Sequence, residues 1–342
     1  MNLKNNFNVA ILSIATLLSA TTIPTKAATE VKLLNGAGAS FPAPVYRLWT
    51  YMYHKKTKIR INYQSVGSGA GVSQIKANTV DFAGTDAPLK EKELIKHNLV
   101  QFPMLTGGVV LVVNLPKIKN NAVKLSKTVI ADIFLGKITN WSDSKIKILN
   151  PKITLPNQKI TVVTRADSSG TTWIFTNYLS KISQEWGKKI GFGKAIKWPV
   201  GISGQKNPGI VNNVKKTIGA IGYVEYTYAT ESKLPTVCLE NADGKYVEPN
   251  PQNFSAAASN ANWKNAPGFY MILTNQPGEK SWPITGVTYI LTKKGDLKKK
   301  LAAMHKYFRW CYGKEGAKIA EQLHYVPIPQ SVVNIVEKKC FK

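Results

Sequence analysis

The chain has 342 residues and 46 lysines and arginines against 19 aspartates and glutamates, a formal net charge of +27 at neutral pH. Its 44% hydrophobic content excludes a disordered chain, and its length suits two domains of ordinary size. The charge favours anionic partners, but only four basic residues are arginine (47, 60, 165 and 309), too few for base reading, and the lysines are spread as solvated faces, so no specific nucleic-acid partner is expected.

The first 27 residues read as a secretory signal peptide. Lys4 supplies a basic start, Val9 to Ser19 an apolar stretch too short to span a bilayer, and Thr25-Lys26-Ala27 a small-x-small cleavage site. The mature chain is expected to begin at Ala28, with no cysteine nearby to carry a lipid anchor. No later apolar run reaches the length of a span, so the mature protein is expected to be exported, periplasmic and without a transmembrane segment. The three cysteines, Cys238, Cys311 and Cys340, leave at least one thiol unpaired or intermolecular. One bridge, for instance Cys311 with Cys340, is compatible with the sequence, which does not fix connectivity. His54, His97, His305 and His324 are scattered and there is no Cys-x-x-Cys, so neither a metal nor a cofactor is expected.

Val31 to Leu34 is a short strand candidate, followed by Gly36-Ala37-Gly38-Ala39-Ser40-Phe41. Pro42 and Pro44 then open a helical segment with Val45, Leu48, Trp49, Met52 and Tyr53 on one face. A dinucleotide fingerprint would need a third glycine here. A tight turn presenting Ser40 at a helix start is the expected reading. Ile59 to Tyr63 alternates as a strand, Gly67-Ser68-Gly69-Ala70-Gly71 turns, and Val72, Ile75 and Val80 predict a helix. Asp86 lies in a turn after Phe82-Ala83-Gly84, where an ordinary role would be a cap or turn residue.

Val109 to Val113 is a continuous apolar run, as in a strand buried on both faces. Val129 to Leu135 predicts a helix, Gly136 to Trp141 a compact loop, and Ile218 to Val224 another buried strand. Residues 235 to 280, rich in Asn, Pro and Gly, predict loops and short helices. Trp282 to Leu291 predicts a late strand, and Leu297 to Tyr312 and Ala317 to Leu323 closing helices.

The most informative stretch is Arg165-Ala166-Asp167-Ser168-Ser169-Gly170-Thr171. It follows the β-branched run Ile160 to Thr164 and precedes a helical segment, Trp173 to Leu179. It therefore places hydroxyls, a glycine and a fixed guanidinium at a helix N-terminus, where free N–H groups and the helix dipole favour anions. Alternating strands and helices predict an α/β fold with parallel sheets in two lobes, with Ser40, Ser68, Asp86 and residues 165–171 at strand ends facing a cleft.

Three motifs, Gly36 to Tyr46, Asn78 to Leu89 and Arg165 to Thr171, closely resemble the phosphate-binding proteins of bacterial phosphate-specific ABC transporters. The resemblance extends through Ala220 to Tyr226 and Trp282 to Thr285. It implies a two-lobe periplasmic binding protein fold, type II-like, with lobe 1 at residues 28–107 and 283–342, lobe 2 at 108–282, and crossing strands near 105–114 and 283–293. It also implies inorganic phosphate bound by Ser40, Phe41 (through its backbone), Ser68 and Asp86 from one lobe and Arg165, Ser169, Gly170 and Thr171 from the other, with Asp167 holding Arg165. The partners implied are the transporter's permease subunits with their ATPase, and the activity implied is binding, not catalysis.

The residue chemistry agrees. Phosphate at neutral pH both accepts and donates hydrogen bonds, and an ionised Asp86 can only accept, so it suits a ligand O–H that sulfate lacks. Two rivals remain: a binding protein for another oxyanion, and an exported phosphatase or other hydrolase using Ser169 as nucleophile, for which no Gly-x-Ser-x-Gly elbow is present. A polyanion-binding surface protein is a third, carried by the charge alone.

Overall fold

Tight spacing of glycines shapes the first part of the chain. Strand β1 (Leu33–Gly38) lies parallel to β2 (Arg60–Ser65) and β3 (Phe82–Thr85). Gly38 has φ +146° and a side chain there would meet the Gly84 carbonyl at 2.1 Å; one at Gly71 would meet the Gly38 Cα at 2.5 Å. These glycines let β1, β3 and the helix Ser68–Lys76 approach backbone to backbone. Gly36 and Gly38 thus belong to a strand, where the sequence reading placed a turn. Ser40 follows the strand directly, and the helix Ala43–Thr57 begins behind it.

This computed structural model describes residues 31–259, 261–295 and 298–341. The predicted signal peptide, residues 1–27, the cleavage point before Ala28, and Leu297 lie outside the described residues.

The central strand is β4 (Leu99–Val113), three times the length of the predicted apolar run. After the short β5 (Lys124–Leu125) come β6 (Thr161–Arg165), β7 (Ile202–Gly204), β8 (Ala220–Glu225), β9 (Cys238–Glu240), β10 (Tyr246–Val247), β11 (Thr285–Lys293) and β12 (Val326–Pro327). The main sheet runs β2-β1-β3-β11-β4-β8-β6-β7, with β12 on β4. Its two ends are parallel, as predicted, but β11 pairs antiparallel with β3 and β4, and β4 antiparallel with β8. The all-parallel expectation therefore fails in the middle. The first part of β4, Leu99–Gly108, pairs with β11; its second part, Val109–Val113, pairs with β8. One strand thus serves both arms of the sheet, which brings the carboxyl ends of β1 and β3 against those of β6 and β8.

The predicted helices appear as Ala43–Thr57, Lys127–Phe134, Gly170–Ile182 and Lys298–Tyr312. The helix after Ser68 stops at Lys76, before Val80. A last helix, Gln330–Cys340, was not read from the sequence. The core is rich in rings: Trp49, Trp141, Trp186 and Trp282 are fully buried, and the indole N–H of Trp282 donates to the Val109 carbonyl (2.9 Å) where β4 passes from one arm to the other. Lys300 ties its helix to the β1–β3 edge through Asp81, whose other oxygen accepts the Asn35 N–H. Cys238, Cys311 and Cys340 are all free thiols, so the Cys311–Cys340 bridge is not formed.

Candidate functional site

Every residue predicted for the site, except the support Asp167, is buried, and they meet at one place. Ser40 and Phe41 follow β1, Ser68 opens the helix Ser68–Lys76, and Asp86 follows β3. Across from them, Arg165 ends β6 and Ser169 caps the helix Gly170–Ile182, its Oγ accepting the Thr172 N–H at 3.0 Å. That cap satisfies one of the helix's free donors and leaves the Ser169 oxygen committed to structure, against the role of an activated nucleophile.

Arg165 is clamped by Asp167. Nε donates to Oδ1 at 2.7 Å and Nη2 to Oδ2 at 2.6 Å, with the Lys206 N–H also donating to Oδ1. Burial by itself would raise the Asp167 carboxyl; the hydrogen bonds and charge of Arg165 outweigh it and hold the group below the usual carboxylate range. Nη2 reaches on to Ser40 Oγ at 3.3 Å, while Nη1 is buried without a hydrogen-bond partner. The guanidinium is thus fixed on one edge and open on the other.

Asp86 is 1% exposed. Its Oδ2 accepts from Ser68 Oγ at 3.3 Å, and its Oδ1 has no hydrogen-bond partner. Burial pushes the carboxyl up to about 7, against the Thr288 hydroxyl, the Arg165 charge and the Ser68 hydroxyl, which all favour ionisation. The Thr288 hydroxyl on β11 sits beside the carboxyl but outside hydrogen-bond geometry. Thr171 Oγ1, next to Gly170, is likewise buried without a partner, as is Thr288 Oγ1. A cationic N–H, a carboxylate oxygen and two hydroxyls are therefore buried without hydrogen-bond partners on the residues that meet here, and buried polar groups are normally hydrogen-bonded. The set suits a small, protonated oxyanion: Arg165 and Thr171 donate, and Asp86 accepts an O–H.

Asp86 does sit in a bend after β3, but its side chain caps no helix or turn and pairs instead with Ser68. Gly170 explains why the two arms can meet there. A side chain on it would stand 2.4 Å from Ser68 Oγ and 2.5 Å from Asp86 Oδ2. A second close approach holds the rim, where the Gly69 N–H donates to the Ser168 carbonyl at 2.9 Å.

Sequence reading missed four residues that hold the Ser40–Phe41 turn. Asn207 Nδ2 donates to Ser40 Oγ (3.1 Å), Tyr228 Oη to the Ser40 carbonyl (2.7 Å), and Tyr325 Oη lies 2.7 Å from the Phe41 carbonyl and 2.8 Å from Glu225 Oε2. Glu225 is fully buried and burial pushes its carboxyl up to about 8, against hydrogen bonds from the Thr227 N–H, Tyr325 and the Thr227 hydroxyl. One phenol proton cannot serve both Phe41 and Glu225, so a protonated Glu225 donating to Tyr325 completes the set. Asn207 had a legible signal, since it starts a helix right after the β7 strand and Gly204, the same pattern that marked Ser68. Tyr325 and Glu225 had none, because their partners lie far off in sequence.

A surface cavity of about 700 Å³, lined by residues including Gln252, Glu321 and His324, touches this cluster only through Tyr325. It carries no comparable set of converging donors. Among the described residues no group of three or more His, Cys, Asp and Glu side chains is placed to hold a metal, and no helix is long and apolar enough to cross a membrane.

A profile of the PBP superfamily domain matches residues 20–315. The chain is 46% identical over 311 residues to the phosphate-binding protein PstS of Haemophilus influenzae, covering 91% of this chain and 93% of that one. It is also 46% identical over 323 residues to the PstS of Xylella fastidiosa strain Temecula1, covering 93% and 88%. This chain belongs to the PstS family of phosphate-binding proteins. The family fold is a two-lobe α/β fold with the ligand cleft between lobes, and a solved structure described as a high-affinity periplasmic phosphate-binding protein bound with phosphate overlays with a TM-score of 0.72 at 19% identity, covering 90% of this chain and 94% of that one. At that identity the overlay speaks for the fold alone; the PstS family membership rests on the two sequence relatives.

Proposed function

We propose that the chain binds inorganic phosphate in the cleft formed by Ser40, Phe41, Ser68 and Asp86 on one side and Arg165, Ser169, Gly170 and Thr171 on the other. The observation that carries this reading is that Arg165 Nη1 and Asp86 Oδ1, with the hydroxyls of Thr288 beside Asp86 and of Thr171 next to Gly170, are all buried without hydrogen-bond partners. A fixed donor, a carboxylate acceptor and hydroxyls that can do either match an anion that still carries a proton.

The lobes are residues 28–107 with 283–342, and 108–282. The pairing of β11 with β3 supports returning the late strand to the first lobe, and the passage of β4 from β11 to β8 supports a boundary near Gly108. Closure joins the lobes through Gly69–Ser168, Ser68–Gly170 and Arg165–Ser40, and ligand shifts the open–closed equilibrium by its stronger binding to the closed form.

The protein acts in the periplasm as the phosphate-delivering component of an ABC importer, handing its ligand to permease subunits driven by their ATPase. It is a binder and not an enzyme; the capping role of Ser169 supports this against a serine hydrolase.

Calorimetry on phosphate-stripped mature protein tests the reading. Phosphate and arsenate are expected to bind and sulfate to be rejected by about 10⁴, since the site is built for a ligand O–H. Absence of phosphate binding by the wild-type chain removes the proposal.

A further inference from the structure

Ser40 Oγ has two acceptor lone pairs and one proton. Both lone pairs are engaged, by Arg165 Nη2 at 3.3 Å and by Asn207 Nδ2 at 3.1 Å. No acceptor for the Ser40 proton lies within reach among the described residues, and the side chain is 2% exposed. Asn207 is itself fully buried and cannot turn over, because its Oδ1 accepts the Glu225 N–H at 3.2 Å. The Glu225 amide therefore fixes which end of the Asn207 amide faces Ser40, and that end is a donor.

We propose that Asn207 is a positioning residue for anion recognition: with Arg165 it occupies the acceptor side of the Ser40 hydroxyl, so that the hydroxyl proton is available only to the ligand. The inference rests on the phosphate reading of the cleft. It assigns to the N-terminus of the helix Lys206–Lys216 a part in specificity without contact to the ligand. An ordinary serine hydroxyl rotates and can offer a lone pair to a ligand O–H. Held by two donors, Ser40 serves only acceptor oxygens, and the ligand's proton is left to other groups, the Asp86 carboxylate first among them.

The test is a double-mutant cycle read by calorimetry on phosphate-stripped protein, with phosphate, arsenate and sulfate as probes. Asn207→Ala is expected to weaken phosphate binding about tenfold or more, the scale of one lost buried hydrogen-bond arrangement. In a Ser40→Ala background the same change is expected to cost less than about threefold, because the hydroxyl it acts on is gone. A purely structural role, through the Glu225 amide, would give the same loss in both backgrounds, and that result overturns the proposal, as does no loss in either. Asn207→Asp keeps an acceptor for the Glu225 N–H and turns the Ser40-facing end into an acceptor. It is expected to weaken phosphate by more than alanine does, and by less once Ser40 is alanine, and it completes the cycle if Asn207→Ala does not fold. A wild-type chain that binds sulfate or arsenate but not phosphate overturns the phosphate reading, and the cycle is then scored on that anion. A wild type that binds none of the three overturns both.

Discussion

Ser68 Oγ accepts the Gly170 N–H at 3.1 Å across 102 residues of chain. The same oxygen accepts the Asp86 N–H and donates to the Asp86 carboxylate, both at 3.3 Å. One hydroxyl thus ties the helix N-terminus of one arm to the acidic turn of the other, and the distance between them is set by the lack of a side chain on Gly170.

Gly170→Ala tests that spacing. The new methyl would stand 2.4 Å from Ser68 Oγ and 2.5 Å from Asp86 Oδ2, so the arms must part to admit it. Overpacking of this kind costs about 1–3 kcal/mol, or roughly a 5- to 150-fold loss of phosphate affinity. Alanine suits a helix better than glycine, so the unliganded protein is expected to unfold at a similar denaturant concentration. Calorimetry and urea titration separate the two effects.

Asp86 should make anion discrimination depend on pH. Its carboxyl is pushed up to about 7, so below neutrality it gains a proton and becomes a donor. Sulfate, excluded by an ionised carboxylate, is expected to bind measurably better at pH 5 than at pH 8. Asp86→Asn, a permanent donor, is expected to bind sulfate at both pH values and to lose most of its preference for phosphate. Competition titrations at the two pH values read this directly, and a sulfate affinity indifferent to pH in the wild type would count against the role of Asp86.

Arg165 carries charge and also holds the half-buried Asp167 carboxylate. Arg165→Ala leaves Asp167 with only the Lys206 N–H of its partners from outside its own residue, which is expected to cost about 1–3 kcal/mol of stability besides abolishing phosphate binding. Arg165→Lys keeps the charge but cannot span both Asp167 oxygens and Ser40. It is expected to fold near the wild-type level and to bind phosphate at least about tenfold more weakly, as one or more charge-assisted bonds are lost. Urea unfolding with phosphate binding on both variants checks the ordering.

The two raised carboxyls, Asp86 and Glu225, should shape stability without ligand. Their folded values, about 7 and about 8, lie above the ordinary carboxyl range. Between that range and those values the native state holds more protons than the unfolded chain, so stability is greatest below about pH 4 from these groups and falls as pH rises towards 8. Glu225→Gln is expected to flatten the upper part of that fall. Its amide can donate to Tyr325 as the protonated acid does, so the Phe41 turn and phosphate affinity are expected to change little. Urea midpoints from pH 5 to 9 on phosphate-stripped wild type and variant measure it.

Local chemistry made the donors legible from the sequence. Ser68 follows an alternating strand and residues 165–171 a β-branched run, both precede helical segments, and that pattern puts hydroxyls and N–H groups at strand ends whatever the surroundings. The unbroken run Val109–Val113 likewise declared a doubly buried strand. What the sequence determined by itself is therefore a set of anion-seeking turns; their reading as one phosphate site is a proposal that its family likeness prompts. The tertiary structure decided the rest. The length of β4 and the antiparallel placement of β11 depend on partners as far apart as Phe82 and Thr292, 210 positions, beyond the reach of any periodicity, and only their pairing brings Asp86 to Gly170. The lone pairs of Ser40 are claimed by Arg165 and Asn207, 125 and 167 residues on. The proton state of Asp86 and Glu225 follows from burial, a property that no residue holds until the whole chain has closed around it.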